Sequence, residues 1–317
     1  MHPPHPARRR KLPVLVFDHV SKQYGEVTAV DDLSFEVPEG VIMGFLGPNG
    51  AGKTTSLRLV LDIVRPSAGR IEVLGRAPGQ GARREVGFLP EERGLYRRMT
   101  ARDSVIYFAR LKGIRGAEAR RAADRLLERV GLGGVGGRRI DALSKGMAQK
   151  VQLAAALVNA PRLVLLDEPF SGLDPVNQAV LEDIVLDLAR NGSTVVFSTH
   201  VMQHAERLCH RLVLIASGRK LFDGTQDEAR RQLPGRLQLT ARGDPSGLPG
   251  VLRAEAEGGI GEWSDWQVTL APGADPGDLL EACFARGLIV RRFEPHRPSL
   301  HDVFVHLVNP GGNGSGR

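Results

Sequence analysis

Two periods of hydrophobic spacing alternate along most of this 317-residue chain. Alternating or continuous short apolar runs predict strands at VLVFDHVSKQYG, AVDDLSFEVPEG, GVIMGFLG, RIEVLG, REVGFLP, LVLLDEP, STVVFSTH and RLVLIASG. Apolar positions three and four apart predict helices at TTSLRLVLDIV, KGMAQKVQLAAALV, NQAVLEDIVLDLARNG and MQHAERLCH. A strand–helix rhythm of this kind implies an α/β core built on parallel strands. The rhythm breaks once, over about residues 90–160. There TARDSVIYFARLKGI and GAEARRAADRLLERVGL carry apolar positions at helical spacing with arginines on the other face, a helical insert in the α/β frame.

At LPGRLQLTARGDPSGLPG the glycine and proline content jumps, which places a boundary near Leu233 to Gly235. Beyond it RLQLTA, WSDWQVTLA and LIVRRFEP predict strands, and DPGDLLEACFARG and SLHDVFVHLV predict helices, giving a small α+β domain. The expected organisation is a disordered basic arm over 1–13, the α/β part over 14–234, the α+β part over 235–308 and a disordered tail, NPGGNGSGR, over 309–317. Trp263 and Trp266 are expected to share one strand face and anchor the core of the smaller part. No internal repeat is evident.

Composition narrows the class. Hydrophobic residues at 42% and charged residues at 25% match an ordinary globular protein, and the apolar runs, LVLL among them, are far too short to cross a bilayer. The first residues lack an apolar stretch of signal-peptide length, so a cytoplasmic location is expected. The two cysteines, Cys209 and Cys283, form no metal-type pair and no disulfide framework, and inert buried thiols are expected. A net charge of +7 suggests anionic company. The run Arg8, Arg9, Arg10 and Lys11 could add about 1 kcal/mol per side chain near an anionic membrane, enough to assist an association made elsewhere.

The strongest chemistry lies in GPNGAGKTT, which satisfies the phosphate-loop pattern between a predicted strand and a predicted helix. Gly47, Gly50 and Gly52 permit the turns that aim backbone N–H groups inward, Lys53 reaches the β and γ phosphates, and the Thr54 hydroxyl can ligate Mg²⁺. Pro48, Asn49, Ala51 and Thr55 complete the loop. LVLLDEP ends a buried strand in two carboxylates, Asp167 for Mg²⁺ and Glu168 for the general-base task on an attacking water. STVVFSTH ends another strand with His200, where an imidazole could meet the γ phosphate. The nearby His204, Cys209 and His210 do not make a zinc site, because His200 ends a strand and shares no helical face with them. His2 and His5 receive no role. In LSKGM, Ser144 is a candidate N-cap and the helix start beside Lys145 and Gly146 a ready anion site, although the phosphate-holding residues lie elsewhere in the chain.

Taken in order, Tyr24, GPNGAGKTT, LPEERGLY, LSKGM, LVLLDEP, SGLD and His200 resemble the motif series of the ATP-binding subunits of ABC transporters, over about two-thirds of the chain. The resemblance implies a P-loop NTPase ABC cassette with a helical subdomain, followed by a small C-terminal α+β domain. It implies ATP and Mg²⁺ as ligands, Tyr24 stacked on adenine, Asp167 and Thr54 serving Mg²⁺, Glu168 activating water and His200 touching the γ phosphate. In this family two cassettes associate head to tail, so Ser144, Lys145 and Gly146 would meet the phosphate held by the other subunit, with Asp174 at the same interface. Homodimer or heterodimer, the pair would drive a separate integral membrane permease from the cytoplasmic face, docked on the helical insert and the Glu91 loop; no nucleic-acid partner is implied. Lys145 and Met147 stand where the family usually has glycine and glutamine, and Glu91 stands where it usually has a glutamine; a carboxylate there can still ligate Mg²⁺. LPEERGLY, LSKGMAQKVQ and SLHDVFVHLV together resemble the sodium or drug efflux branch. The alternative is a soluble ATPase of this class acting on ribosomes or DNA, which would usually show two cassettes or a long coiled coil.

Overall fold

The computed structural model describes residues 12–309 apart from Arg93 and Pro272. The expected basic arm, with His2 and His5, and the tail from 310 onward lie outside the described residues. The chain divides into two compact units between Asp223 and Gly224.

The first unit opens with strands β1 (Pro13–Tyr24) and β2 (Val27–Pro38), then β3 (Ile42–Leu46), helix α1 (Lys53–Val60), β4 (Ala68–Val73), α2 (Gln80–Arg83) and β5 (Val86–Leu89). Two helices, α3 (Ala101–Leu111) and α4 (Gly116–Arg129), form the insert. It continues through α5 (Lys145–Leu157), β6 (Leu163–Asp167), α6 (Pro175–Arg190), β7 (Thr194–Thr199), α7 (Met202–Leu208), β8 (Arg211–Ala216) and β9 (Arg219–Gly224).

These strands make two sheets. Six lie side by side in the order β5-β6-β7-β3-β8-β9, and the pairings from β5 through β8 are parallel. Every residue of β3, β6 and β7 is buried, as expected of parallel strands covered on both faces, which is why these segments read as continuous apolar runs. The other three, in the order β2-β1-β4, pair antiparallel in a separate sheet. The sequence does not separate these strands from the parallel set, because alternation reports burial and not the partner. Phe17 and Phe35 on β1 and β2 stack with ring centroids 4.6 Å apart, and Phe35 stacks on Phe45 of β3 at 5.5 Å, so the two sheets share one core.

The second unit holds α8 (Gln226–Arg230), β10 (Arg236–Arg242), β11 (Val251–Ile260), β12 (Trp263–Leu270), α9 (Pro276–Ala285), β13 (Ile289–His296) and α10 (Leu300–Val308). Its antiparallel sheet runs β11-β12-β10-β13 over a core of Leu237, Leu239, Val268, Leu270, Leu279 and Cys283. β9, α8 and β11 carry no sequence expectation. β11 is rich in exposed Glu and Gly, and only its register with β12 makes it a strand.

The two tryptophans depart from expectation. They stand three residues apart, so strand alternation sends them to opposite faces. Trp266 packs against the core opposite Leu239, whereas Trp263 lies under two guanidiniums, Arg242 at 4.8 Å and Arg291 at 5.7 Å from its ring centroid.

Neither cysteine forms a disulfide among the described residues and both are buried, and burial pushes both thiols up from the ordinary range. Since the thiolate is the reactive species, iodoacetamide at pH 8 should label neither Cys209 nor Cys283 in the folded protein and both after unfolding, as read by mass spectrometry. Labelling of either thiol at the rate of a free peptide would contradict the described packing.

Candidate functional site

Parallel registry brings three strand ends to one edge. Leu46 pairs with Thr199, and Asp167 with Ser198, so the segments that follow β3, β6 and β7 emerge side by side. Residues 47–55 leave β3 with the Gly47 amide donating to Thr199 O at 3.3 Å, then turn through Gly50 and Gly52 at φ of 79° and 99° into α1. Gly52 is the N-cap of α1 and supplies no side-chain acceptor, and the first turn holds no acidic residue. The helix start thus presents uncapped N–H groups and the positive end of its dipole.

Lys53 folds back across this loop. Its ammonium donates to Gly47 O at 2.8 Å and Pro48 O at 3.1 Å, and lies 3.3 Å from Glu168 Oε1. Both side chains are buried, 6% and 8% exposed, so neither charge has water to screen it. His200 Nδ1 meets the same Glu168 oxygen at 3.1 Å from a half-exposed position. The Glu168 amide donates to Ser198 O and Oγ, both at 3.1 Å, and its backbone sits at φ 45°, a region a non-glycine residue occupies at a cost of about 1–3 kcal/mol. Asp167, also buried, accepts from Ser198 Oγ at 2.5 Å and from Thr54 Oγ1 at 3.2 Å. The result is two carboxylates, two hydroxyls, an ammonium and an imidazole converging beside an open helix N-terminus.

The sequence did not single out Ser198. Its signal was its place two residues before His200 on an apolar strand, which becomes informative only with the β6–β7 register. Thr54, Asp167, Glu168, His200 and Lys53 are brought together; other expected site residues are not. Tyr24 ends β1, 45% exposed, and its described ring contact is the Lys22 ammonium at 5.0 Å. Glu91 is exposed and makes no hydrogen bond to Thr54 or Asp167 among the described residues.

Ser144, Lys145 and Gly146 form a second locus. Ser144 caps α5 by accepting from the Met147 amide at 3.2 Å, and among the described residues none of the three makes a hydrogen bond or ion pair with the 47–55 loop or Glu168. They rest instead on the segment after β6. A Cβ on Gly172, at φ 68°, would lie 2.2 Å from Lys145 Nζ, and one on Gly146 would lie 3.3 Å from Asn177 Nδ2. Asp174 caps α6, accepting from the Asn177 amide at 2.9 Å and its side-chain nitrogen at 2.5 Å, which holds its carboxyl below the usual range. Two side chains of α5 that the sequence did not mark reach further: Gln149 donates to Pro169 O and Gln152 to Glu92 O.

Comparison with known proteins settles the lineage. The family model described as ABC transporter matches residues 30–171, and that of the ATP-binding protein DrrA1-3-like C-terminal domain matches residues 224–308. The Bacillus subtilis (strain 168) protein named "Uncharacterized ABC transporter ATP-binding protein YhaQ" is 38% identical over 299 residues, covering 93% of this chain and 98% of the relative. The chain belongs to the ABC transporter ATP-binding family. A second member, the daunorubicin resistance ATP-binding protein DrrA3 of Streptomyces coeruleorubidus, is 33% identical over 302 residues, covering 93% and 95% of the two chains. The solved structure of an ATP binding subunit of an ABC transporter aligns with TM-score 0.65 at 31% identity, over 69% of this chain and 92% of its own. Family membership carries ATP binding and ATPase activity, and the P-loop cassette fold agrees with the parallel sheet described above. In this ABC protein no helix among the described residues is long and apolar enough to cross a membrane.

Two glycines of the loop separate conformational need from space. A Cβ on Gly52 would stand 2.3 Å from Ala29 O, a backbone atom, whereas one on Gly50 meets nothing within 4 Å. Gly50→Ala should therefore lose only the left-handed backbone preference, about 1–2 kcal/mol, and Gly52→Ala clearly more. Urea unfolding midpoints of the two variants would rank them, and equal losses would refute the close approach at Gly52.

Proposed function

We propose that the chain is the ATP-binding and hydrolysing subunit of an exporter, working as a dimer around two ATP molecules to drive a separate membrane permease from the cytoplasmic face. The observation that carries this reading is the buried Lys53–Glu168 pair, with the half-exposed His200 on the same carboxylate, beside the uncapped start of α1. A buried ammonium held by two loop carbonyls is placed to take phosphate oxygens in their stead, with the residues of the 47–55 loop around it. Tyr24 is assigned to the adenine ring.

Thr54 and Asp167 present two hard oxygens 3.2 Å apart, which fits Mg²⁺, and with Glu91 they are the residues assigned to hold it. Bound there, the ion would neutralise charge on the β and γ phosphates. Glu168 accepts a proton from water as the water oxygen attacks the γ phosphorus; the bond to the β–γ bridging oxygen breaks, leaving ADP and inorganic phosphate. His200 holds the Glu168 carboxylate through Nδ1 and contacts the γ phosphate.

Ser144, Lys145 and Gly146 lie apart from this cluster within one chain, which supports their assignment to the phosphate bound by a second copy. A helix start favours an anion by about 0.3–1 kcal/mol, and Lys145 adds a full charge. Hydrolysis removes the shared γ phosphate and with it the preference for the closed pair. Asp174 is assigned to the same interface. The permease is assigned to the α3–α4 insert, whose groove of about 750 Å³ is lined by Met99, Ile106 and Tyr107 together with Arg98, Arg110 and Arg120, and to the adjoining Glu91 loop. A relative named for daunorubicin resistance supports the export direction.

Glu168→Gln should bind ATP while slowing hydrolysis by about 10²–10⁴-fold and accumulating an ATP-bound dimer in sedimentation. Hydrolysis at the parental rate would remove Glu168 as the base. Ser144→Arg should leave ATP binding to the single chain intact yet abolish turnover, because the contact it destroys belongs to the partner's nucleotide. Turnover retained in that variant would refute the shared site.

A further inference from the structure

Helix α5 carries two glutamines one turn apart, and each ends on a backbone carbonyl outside the helix. Gln149 donates from Nε2 to Pro169 O, the residue after Glu168. Gln152, 7% exposed, donates from Nε2 to Glu92 O at 3.0 Å, with Pro90 O at 3.5 Å. At positions i and i+3 they share one face of the helix. A buried primary amide directed at loop carbonyls is costly to leave unpaired, so such a residue fixes one arrangement of the segments it joins. The segments joined here are the Glu91 loop, the end of β6 and, at the N-terminus of the same helix, Ser144 to Gly146.

We propose that Gln152 is a positioning residue that makes the Glu91 loop move with α5, so that engagement of Ser144 to Gly146 by nucleotide is passed to Pro90, Glu91 and Glu92. The helix transmits the displacement because α5 is buried along most of its length, from Ala148 to Leu157. Gln149 ties the same helix to Pro169, so the end that follows the catalytic strand and the end that follows β5 are held by one rigid element. This inference rests on the proposed shared nucleotide site, and the test below separates the failure of one from the failure of the other.

The experiment is hydrogen exchange followed by mass spectrometry on the full chain carrying Glu168→Gln, with and without ATP and Mg²⁺. The parent should gain protection in three segments, 47–55, 143–147 and 89–96. Adding Gln152→Met, which keeps the side-chain volume and removes the donor, should leave the first two gains in place. The gain over 89–96 should shrink by about two- to thirtyfold, the range that residues on a coupling route contribute. Gln152→Asn, with an amide on a stem too short to reach Glu92 O, should behave likewise and serves if the Met variant does not fold. A merely structural role would lower protection in all segments, with and without ATP, and would overturn the proposal. So would an undiminished gain over 89–96 in a folded Gln152 variant. If ATP protects 47–55 but not 143–147 in the parent, the shared site is wrong and the inference falls with it. If nothing is protected, nucleotide binding itself fails.

Discussion

A buried ammonium and a buried carboxylate 3.3 Å apart constrain everything else in the first unit. Desolvating both charges is tolerable only while each keeps its partners, and stripping one partner from such a pair typically costs about 3–5 kcal/mol. Lys53 therefore requires the loop carbonyls of Gly47 and Pro48 in place, and Glu168 requires its amide tied to Ser198. Those ties demand that β3, β6 and β7 keep one parallel register, because a slip of one residue would turn every side chain of the slipped strand to the other face. The strained backbone at Glu168 persists because the surrounding sheet over-determines it.

The same constraint explains why the chemistry divides between two loci. The cluster around Lys53 is closed by its own hydrogen bonds, with Ser198 serving Asp167 at the end of β6 and Glu168 just after it. The start of α5, by contrast, is satisfied only by the Ser144 cap and rests on the glycine of the 171–174 turn. Lys145 needs that glycine twice over, for its positive φ and for the room its own stem fills. An exposed helix start with a lysine beside it retains affinity for an anion that the chain does not itself supply, whereas the Lys53 ammonium is already compensated.

Much of this is legible in the sequence. The phosphate loop could be read because its residues are contiguous and their geometry is local: Gly50 and Gly52 adopt the left-handed conformation their type permits. Asp167 and Glu168 were legible because a fully buried strand that ends in two acids leaves them nowhere to go but its carboxyl edge. Ser198, Gln149 and Gln152 were not, since each acts on a residue between 20 and 60 positions away and nothing in its own neighbourhood marks it. The antiparallel grouping of β1, β2 and β4 was hidden for the related reason that pairing is a property of two segments. β11 was hidden because a strand formed by partnership alone carries no apolar pattern. The tryptophans show the opposite error, a correct alternation rule applied at the wrong spacing.

Arginine distribution extends the same reasoning to the insert. Arg102 is matched by Asp124 at 2.6 Å, a contact that joins α3 to α4 and so belongs to the packing of the insert itself. Arg98, Arg110 and Arg120 have no ion pair among the described residues, although they line one groove with Tyr107, and its single acid, Asp103, accepts from the hydroxyl of Thr100, the N-cap of α3, and donates its amide to the same oxygen. Three guanidiniums without an ion pair among the described residues, beside Tyr107, raise the local positive potential of the groove, and guanidinium fits carboxylate in a two-pronged geometry that lysine lacks. With the permease docked on this groove as proposed, selection among membrane partners would act through the charge and shape of its lining.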